Sequence, residues 1–167
     1  LVGDVEKVEE LLKKQGFIGL KIYTQVGAPV YESWMRRLME KAVEMKVPVL
    51  CHAHPEEIAR LCKAVPDVML IMAHMGCGSE GVDWNRAIMV AEEHGNILLE
   101  TCSSCVDMGM IETAVKKVGA ERVVYGTDVP LLNPWVMLEK VRSADISEEE
   151  KRLILGENIS KVLRLGR

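Results

Sequence analysis

The sequence predicts an α/β fold built on a parallel sheet, and three observations lead there. Short apolar runs alternate with amphipathic stretches along nearly the whole chain. The runs are almost continuous in apolar character, as strands buried on both faces are. Residues able to do chemistry follow several of the runs directly.

In order, the runs are Phe17-Ile-Gly-Leu-Lys-Ile22, Val47-Pro-Val-Leu-Cys51, Val68-Met-Leu-Ile-Met-Ala73, Asn96-Ile-Leu-Leu-Glu100 and Arg122-Val-Val-Tyr125. Each is too short for an ordinary helix. Between them the spacing predicts helices over Glu32 to Met45, with Trp34, Leu38 and Val43 on one face, then Glu56 to Lys63, Asp83 to His94 and Met110 to Val118. Gly95 and Gly119 mark helix ends, and Pro55 suits a first helical turn. Pro134 to Val141 reads as a further helix, and Ser147-Glu-Glu-Glu150 carries a capping-box signature. Such alternation implies parallel strands joined by right-handed crossovers, in either a doubly wound sheet or a barrel. Periodicity leaves those two open. The lack of a glycine-rich phosphate loop after any strand argues against a nucleotide or flavin binder.

A chain of 167 residues with 49% hydrophobic content is expected to form one domain over residues 1–167. Lys plus Arg number 21 against 25 acidic residues, a balance of −4 without a basic stripe, which argues against nucleic acid as a partner. The apolar runs fall short of the roughly 18 to 20 residues that span a bilayer, so no membrane span is expected. Five cysteines, two of them (Cys51 and Cys102) in apolar strand-like runs, fit reduced thiols and a cytoplasmic setting. The opening Leu-Val-Gly-Asp lacks both an initiator Met and the pattern of a signal peptide, so the chain is expected to begin within a longer protein.

In a parallel sheet the residues after each strand share one side, where ligands bind in open sheets and barrels alike. That side would collect His52, His74, Glu100 to Ser103 and Thr127-Asp128. Imidazoles and a carboxylate suit Zn²⁺ and similar ions when a coordination position stays open for water. A lone strand-end His is more often a hydrogen-bonded structural residue; three such residues at successive strand ends favour a site. His94, beside Gly95, reads as a surface residue at a helix end. His54 shares a His-x-His with His52 but precedes Pro55, which places it in a loop. Cys102 and Cys105 have redox-motif spacing without the surroundings of a redox fold.

Gly16-Phe-Ile-Gly-Leu-Lys21, Val47-Pro-Val-Leu-Cys-His52, Ile71-Met-Ala-His-Met-Gly76, Val124-Tyr-Gly-Thr-Asp-Val-Pro130 and the closing Gly156-Glu-Asn-Ile-Ser-Lys-Val-Leu163 resemble successive blocks of the amidohydrolase-related family that includes aminocarboxymuconate semialdehyde decarboxylase. The resemblance implies an incomplete (β/α)8 barrel, with about strands four to eight and their helices. By it, His52 and Asp128 would be metal ligands, with Asp128 also a proton shuttle and His74 a catalytic base. The implied cofactor is a divalent metal, Zn²⁺ first and Mn²⁺ second. The implied activity is hydrolysis or decarboxylation of a small carboxylate, amide, ester or lactone. Lys21 would be a carboxylated metal bridge or a plain cation for a substrate carboxylate, and Glu100 and Trp84 would line the pocket or the core.

One departure matters. The family's first strand carries a His-x-His metal pair, and nothing upstream of Gly16 supplies it. Strands one to three are therefore expected to lie elsewhere, with the chain completed by the rest of a parent barrel or by homo-oligomerisation through open edges. The competing expectation is an inactive half-barrel that serves as an assembly or binding module.

Overall fold

The computed structural model describes residues 5–23, 33–76, 84–103, 105 and 107–165. Five strands, β1 (Leu20–Tyr23), β2 (Val49–His52), β3 (Leu70–Met72), β4 (Ile97–Glu100) and β5 (Val123–Val124), form one sheet in chain order. Every pairing is parallel. Helices α2 (Ser33–Met45), α3 (Pro55–Ala64), α4 (Trp84–Glu93) and α5 (Met110–Val118) supply the crossovers; α1 (Val5–Lys14) precedes the sheet, and α6 (Pro134–Ser143), α7 (Glu148–Arg152) and α8 (Asn158–Val162) follow it. The expected alternation is present, with strands starting up to three residues later than the apolar runs. Pro48 accounts for one such delay: lacking an N–H, it contributes only its carbonyl, which accepts from Leu20 at 3.0 Å.

Side-chain alternation divides the sheet into two apolar faces. Val49, Cys51, Leu70, Met72, Ile97, Leu99 and Val123 point outward into the main core under the helices. Ile71, Leu98 and Val124 point the other way and form a smaller cluster with Leu50. The register aligns Lys21, Leu50, Ile71 and Leu98 in one row across that second face. Two residues further along each strand, Tyr23 pairs with His52 and Glu100 with Val124. Along this face the apolar row of Leu50, Ile71 and Leu98 thus lies one period-two step below the polar row of His52 and Glu100.

On α2 the fully buried stripe is Met35, Met39 and Ala42, whereas Trp34, Leu38 and Val43 pack around its margin. This corrects the face expected from sequence, which was rotated by about one residue; long Met side chains fill that core and leave the bulkier Trp at its edge. His94 also departs from expectation. It is half-buried, and its carbonyl accepts Arg122 Nη2 at 2.8 Å, because the chain turns inward there to enter β4. Helix α1, amphipathic with Val5 and Leu12 buried, had no counterpart in the sequence reading.

After β5 the chain folds back. Ser147 and Glu150 form the expected capping box, and a π-helical turn, Leu153–Glu157, leads into α8. The Ile154 carbonyl accepts the Tyr125 N–H at 3.0 Å, and Asn158 Nδ2 donates to the Ala120 and Val123 carbonyls at 2.8 Å each. Ile159 and Val162 pack on the second face, against the cluster of Ile71, Leu98 and Val124. Among the described residues no helix is long and apolar enough to cross a membrane.

Candidate metal and acid–base site

The polar row lies at the C-terminal ends of the strands. His52 closes β2, its ring stacked on Tyr23 with centroids 4.2 Å apart. His74 sits in the short 3-10 turn after β3, Ala73–Gly76, and its ring meets that of His52 edge-on at 4.9 Å. Asp128 follows β5 in a left-handed conformation (φ 51°). His74 and Asp128 line one cavity of about 200 Å³ together with Lys21 and Glu100, over a floor of Leu50, Ile71, Val124 and Ile159. Lys21 is the second residue of β1, inside the strand.

The turn that carries His74 is strained. His74 (φ 58°) and Met75 (φ 44°) are both left-handed, a region that L-residues enter at a cost of roughly 1–2 kcal/mol each. Gly76 continues it at φ 71°, and a Cβ there would lie 2.7 Å from Pro55 and 3.1 Å from Ala87, so α3 and α4 both press on this turn. Strain of this kind persists only where the surrounding structure imposes it.

Burial is the main force on the site's titratable groups. It lowers the pKa of both His52 and His74, Lys21 adds to the fall, and the negative charge of Asp128 opposes it. Both imidazoles are therefore biased toward the neutral form that can accept a proton or bind a metal. Glu100, 8% exposed, accepts backbone N–H groups from His74 (2.8 Å) and Cys102 (2.7 Å). These bonds favour its carboxylate, but desolvation outweighs them and pushes its pKa up to about 7. Cys102 is likewise pushed up to about 12 by burial, which makes it a poor nucleophile.

Among the described residues, His74, Glu100 and Cys102 are the one trio whose potential ligand atoms all lie within 4.8 Å of one another. His52 and Asp128 are not part of it. The sequence reading singled out His52, His74 and Asp128, and the fold brings all three to one end of the sheet. It left the weight of Glu100 undecided; the available signal was a carboxylate ending the apolar run Ile97 to Leu99. His54 is exposed at the N-cap of α3, as Pro55 foretold. Cys51, Cys62, Cys102 and Cys105 are free thiols, while Cys77 and the residues between Gly76 and Trp84 lie outside the described residues.

A family model described as amidohydrolase matches residues 4–165. The chain belongs to that family. Solved structures give the amidohydrolase-family chain a wider setting. It resembles a dihydroxybenzoic acid decarboxylase from Polaromonas sp. JS666, solved with bound manganese and the inhibitor 2-nitroresorcinol, at 17% identity and a TM-score of 0.73, covering 98% of this chain and 65% of that one. A 2,6-dihydroxybenzoate decarboxylase from Rhizobium gives 16% identity and a TM-score of 0.74 over 99% and 69% of the two chains. An uncharacterized TIM-barrel protein from Bordetella bronchiseptica gives 19% and 0.80 over 95% and 61%. The chain thus spans just under two thirds of the Polaromonas enzyme's length. These likenesses establish the fold as part of a (β/α)8 barrel, which resolves the alternative that periodicity left open. No curated protein matches the chain.

Proposed function

We propose that the amidohydrolase-family chain provides the acid–base half of a metal-dependent hydrolase or decarboxylase acting on a small carboxylate. The observation that carries this reading is the edge-on contact of His52 and His74 beside a cavity that also takes in Asp128 and Lys21. Membership of the amidohydrolase family and the likeness to decarboxylases support it.

The donor chemistry here fits a divalent ion in kind: His52 and Asp128 offer a neutral imidazole and a carboxylate, two of the ligand types that zinc and manganese accept. They would hold the ion along with ligands from outside the described residues. Such an ion, when bound, would polarise a substrate oxygen or lower the pKa of a water. The chain's own groups would do the rest. Lys21 would attract the substrate carboxylate to the cavity mouth, and His74 would exchange a proton with the reacting atom. The apolar floor of Leu50, Ile71, Val124 and Ile159 would exclude water from a planar organic body. Zinc is the first expectation for the ion, and manganese gains support from the Polaromonas structure.

The test has two parts. Purified protein should take up Zn²⁺ or Mn²⁺ in stoichiometric amount, measured by elemental analysis after dialysis, and His52→Ala or Asp128→Ala should reduce uptake. His74→Ala should leave uptake near normal and abolish turnover of hydroxybenzoates or of simple lactones and esters. A folded protein with the rest of its barrel present that takes up no metal and turns over none of these would sink the reading. The second reading, a binding module, draws on one observation: among the described residues, neither His52 nor Asp128 belongs to the close trio of potential metal ligands. Binding of an aromatic carboxylate without metal and without turnover would favour it.

A further inference from the structure

We infer that Glu100 is a positioning residue that fastens together the three strand-end segments carrying His74, Cys102 and Gly126, and so sets where His74 and Asp128 stand. This deepens the proposed function and rests on it only for the roles of His74 and Asp128.

A carboxylate this buried ordinarily faces a cation or a metal, because burial without partners is costly. Each oxygen of Glu100 has a main-chain donor, whether or not its trio with His74 and Cys102 also holds an ion. Oε2 accepts the His74 N–H at 2.8 Å, and Oε1 accepts the Cys102 N–H at 2.7 Å. The first bond joins β4 to the segment after β3, across 26 residues of sequence. On the remaining side the carboxylate touches the segment after β5: a Cβ on Gly126 would lie 1.8 Å from Oε1, so the space for this carboxylate exists only because Gly126 has no side chain. One group therefore contacts three consecutive strand ends, and Asp128 follows Gly126 by two residues.

The contact with His74 is made through its backbone. Its Nδ1 lies 3.8 Å from Oε2, beyond hydrogen-bond range, so Glu100 holds the residue by its N–H and leaves the ring to point elsewhere. That N–H belongs to the first of two successive left-handed L-residues, where the local conformation must be imposed from outside. A carboxyl group can offer an accepting oxygen to each of the two N–H groups, and it is the stronger partner where it is ionised. Glutamine could not replace it: its amide has one accepting oxygen, and its NH₂ would face the other N–H donor to donor.

Nuclear magnetic resonance on the full chain, labelled with ¹³C and ¹⁵N, tests this directly. In the wild type, a scalar coupling across the hydrogen bond should connect the His74 amide nitrogen to the Glu100 side-chain carboxyl carbon. Glu100→Gln should abolish the downfield shift of the His74 or the Cys102 amide proton and move the His74 ring signals, leaving the His94 ring in place. Where turnover is measurable, Glu100→Gln should lower kcat by roughly 10- to 100-fold with little change in KM, the cost typical of misplacing a reacting group. Adding Glu100→Gln to His74→Ala should then cost nothing more, since a positioning residue acts through the residue it positions. Absence of the coupling in the wild type, or unmoved His74 signals in a folded Glu100→Gln variant, overturns the inference. The wild-type measurement needs no variant to fold. A protein with the rest of its barrel present that shows the coupling but neither metal uptake nor turnover keeps the positioning role and loses the proposed function; the converse result separates them the other way.

Discussion

The Glu100 carboxylate occupies the place where a side chain on Gly126 would stand, with Oε1 only 1.8 Å from an ideal Cβ at that position. Gly126→Ala must therefore displace either the carboxylate or the strand end. Overpacking of this kind is expected to cost about 1–3 kcal/mol. In a Glu100→Ser background the same change should cost under about 1 kcal/mol, because the competing atoms are gone. Urea denaturation of the four proteins in this cycle measures the difference, and an equal cost in both backgrounds would show that the clash is relieved elsewhere.

Glu100 also predicts a pH dependence of stability. Its pKa is raised from the ordinary 4.5 to about 7 in the folded chain, chiefly by burial, so between those values the folded state holds a proton that the unfolded state has lost. Its stabilising share is full below about pH 4.5 and disappears as pH rises through about 7. The change is worth about 3 kcal/mol, at 1.36 kcal/mol per pKa unit. His52 and His74 act in the opposite sense: their lowered pKa values give stability above the ordinary His value that is lost as pH falls. The wild-type curve mixes both, so the measurement is the difference between wild type and Glu100→Gln, in a chelating buffer. That difference should fall by about 3 kcal/mol from pH 4.5 to pH 8; a flat difference would refute it.

Arg122 joins three segments. Its guanidinium donates to the carbonyls of Ala91 (2.5 Å), His94 (2.8 Å) and Ile97 (2.8 Å), closing the end of α4 onto the starts of β4 and β5. Arg122→Met keeps most of the packing and leaves those acceptors without their donor. The expected loss is about 2–4 kcal/mol. Arg122→Lys should recover only part of it, since an ammonium lacks the planar fork. Thermal unfolding of the variants checks both statements.

The edge of β1 bears exposed Phe17 (55%), Ile18 (50%) and Tyr23 (62%). Apolar residues beside an unpaired strand favour strand addition. The isolated chain is expected to self-associate through this edge, and Ile18→Lys should weaken that association. Sedimentation over a range of concentrations decides it; a wild-type monomer at all concentrations would contradict the expectation.

What could be read from sequence followed a physical division. Strand-end residues such as His52, His74 and Asp128 announce themselves, because polar groups stand out after apolar runs. The family blocks then gave the barrel that periodicity could not. The contacts of Glu100 were hidden for the opposite reason: its partners are main-chain N–H groups, which leave no letter in the sequence, and the space at Gly126, whose letter does not say what fills it. Helix α1 escaped notice because its only fully buried side chains are Val5 and Leu12. The terminal motif Gly156 to Leu163 was legible as a helix, but not the π-helical turn at its start or its seat on the second face of the sheet.

That seat makes the two borders of the sheet unequal. At β5 the Tyr125 N–H, which another strand would otherwise claim, is already bound to the Ile154 carbonyl, and β5 itself is only two residues long. At β1 four residues stand at the border. Head-to-tail growth needs a receptive border at each end of every unit, whereas one receptive and one blocked border stop the process after a single union. In the isolated chain, the fold-back of the C-terminal segment is therefore expected to favour one union at β1 over continued growth, because the backbone donor beside β5 is already taken.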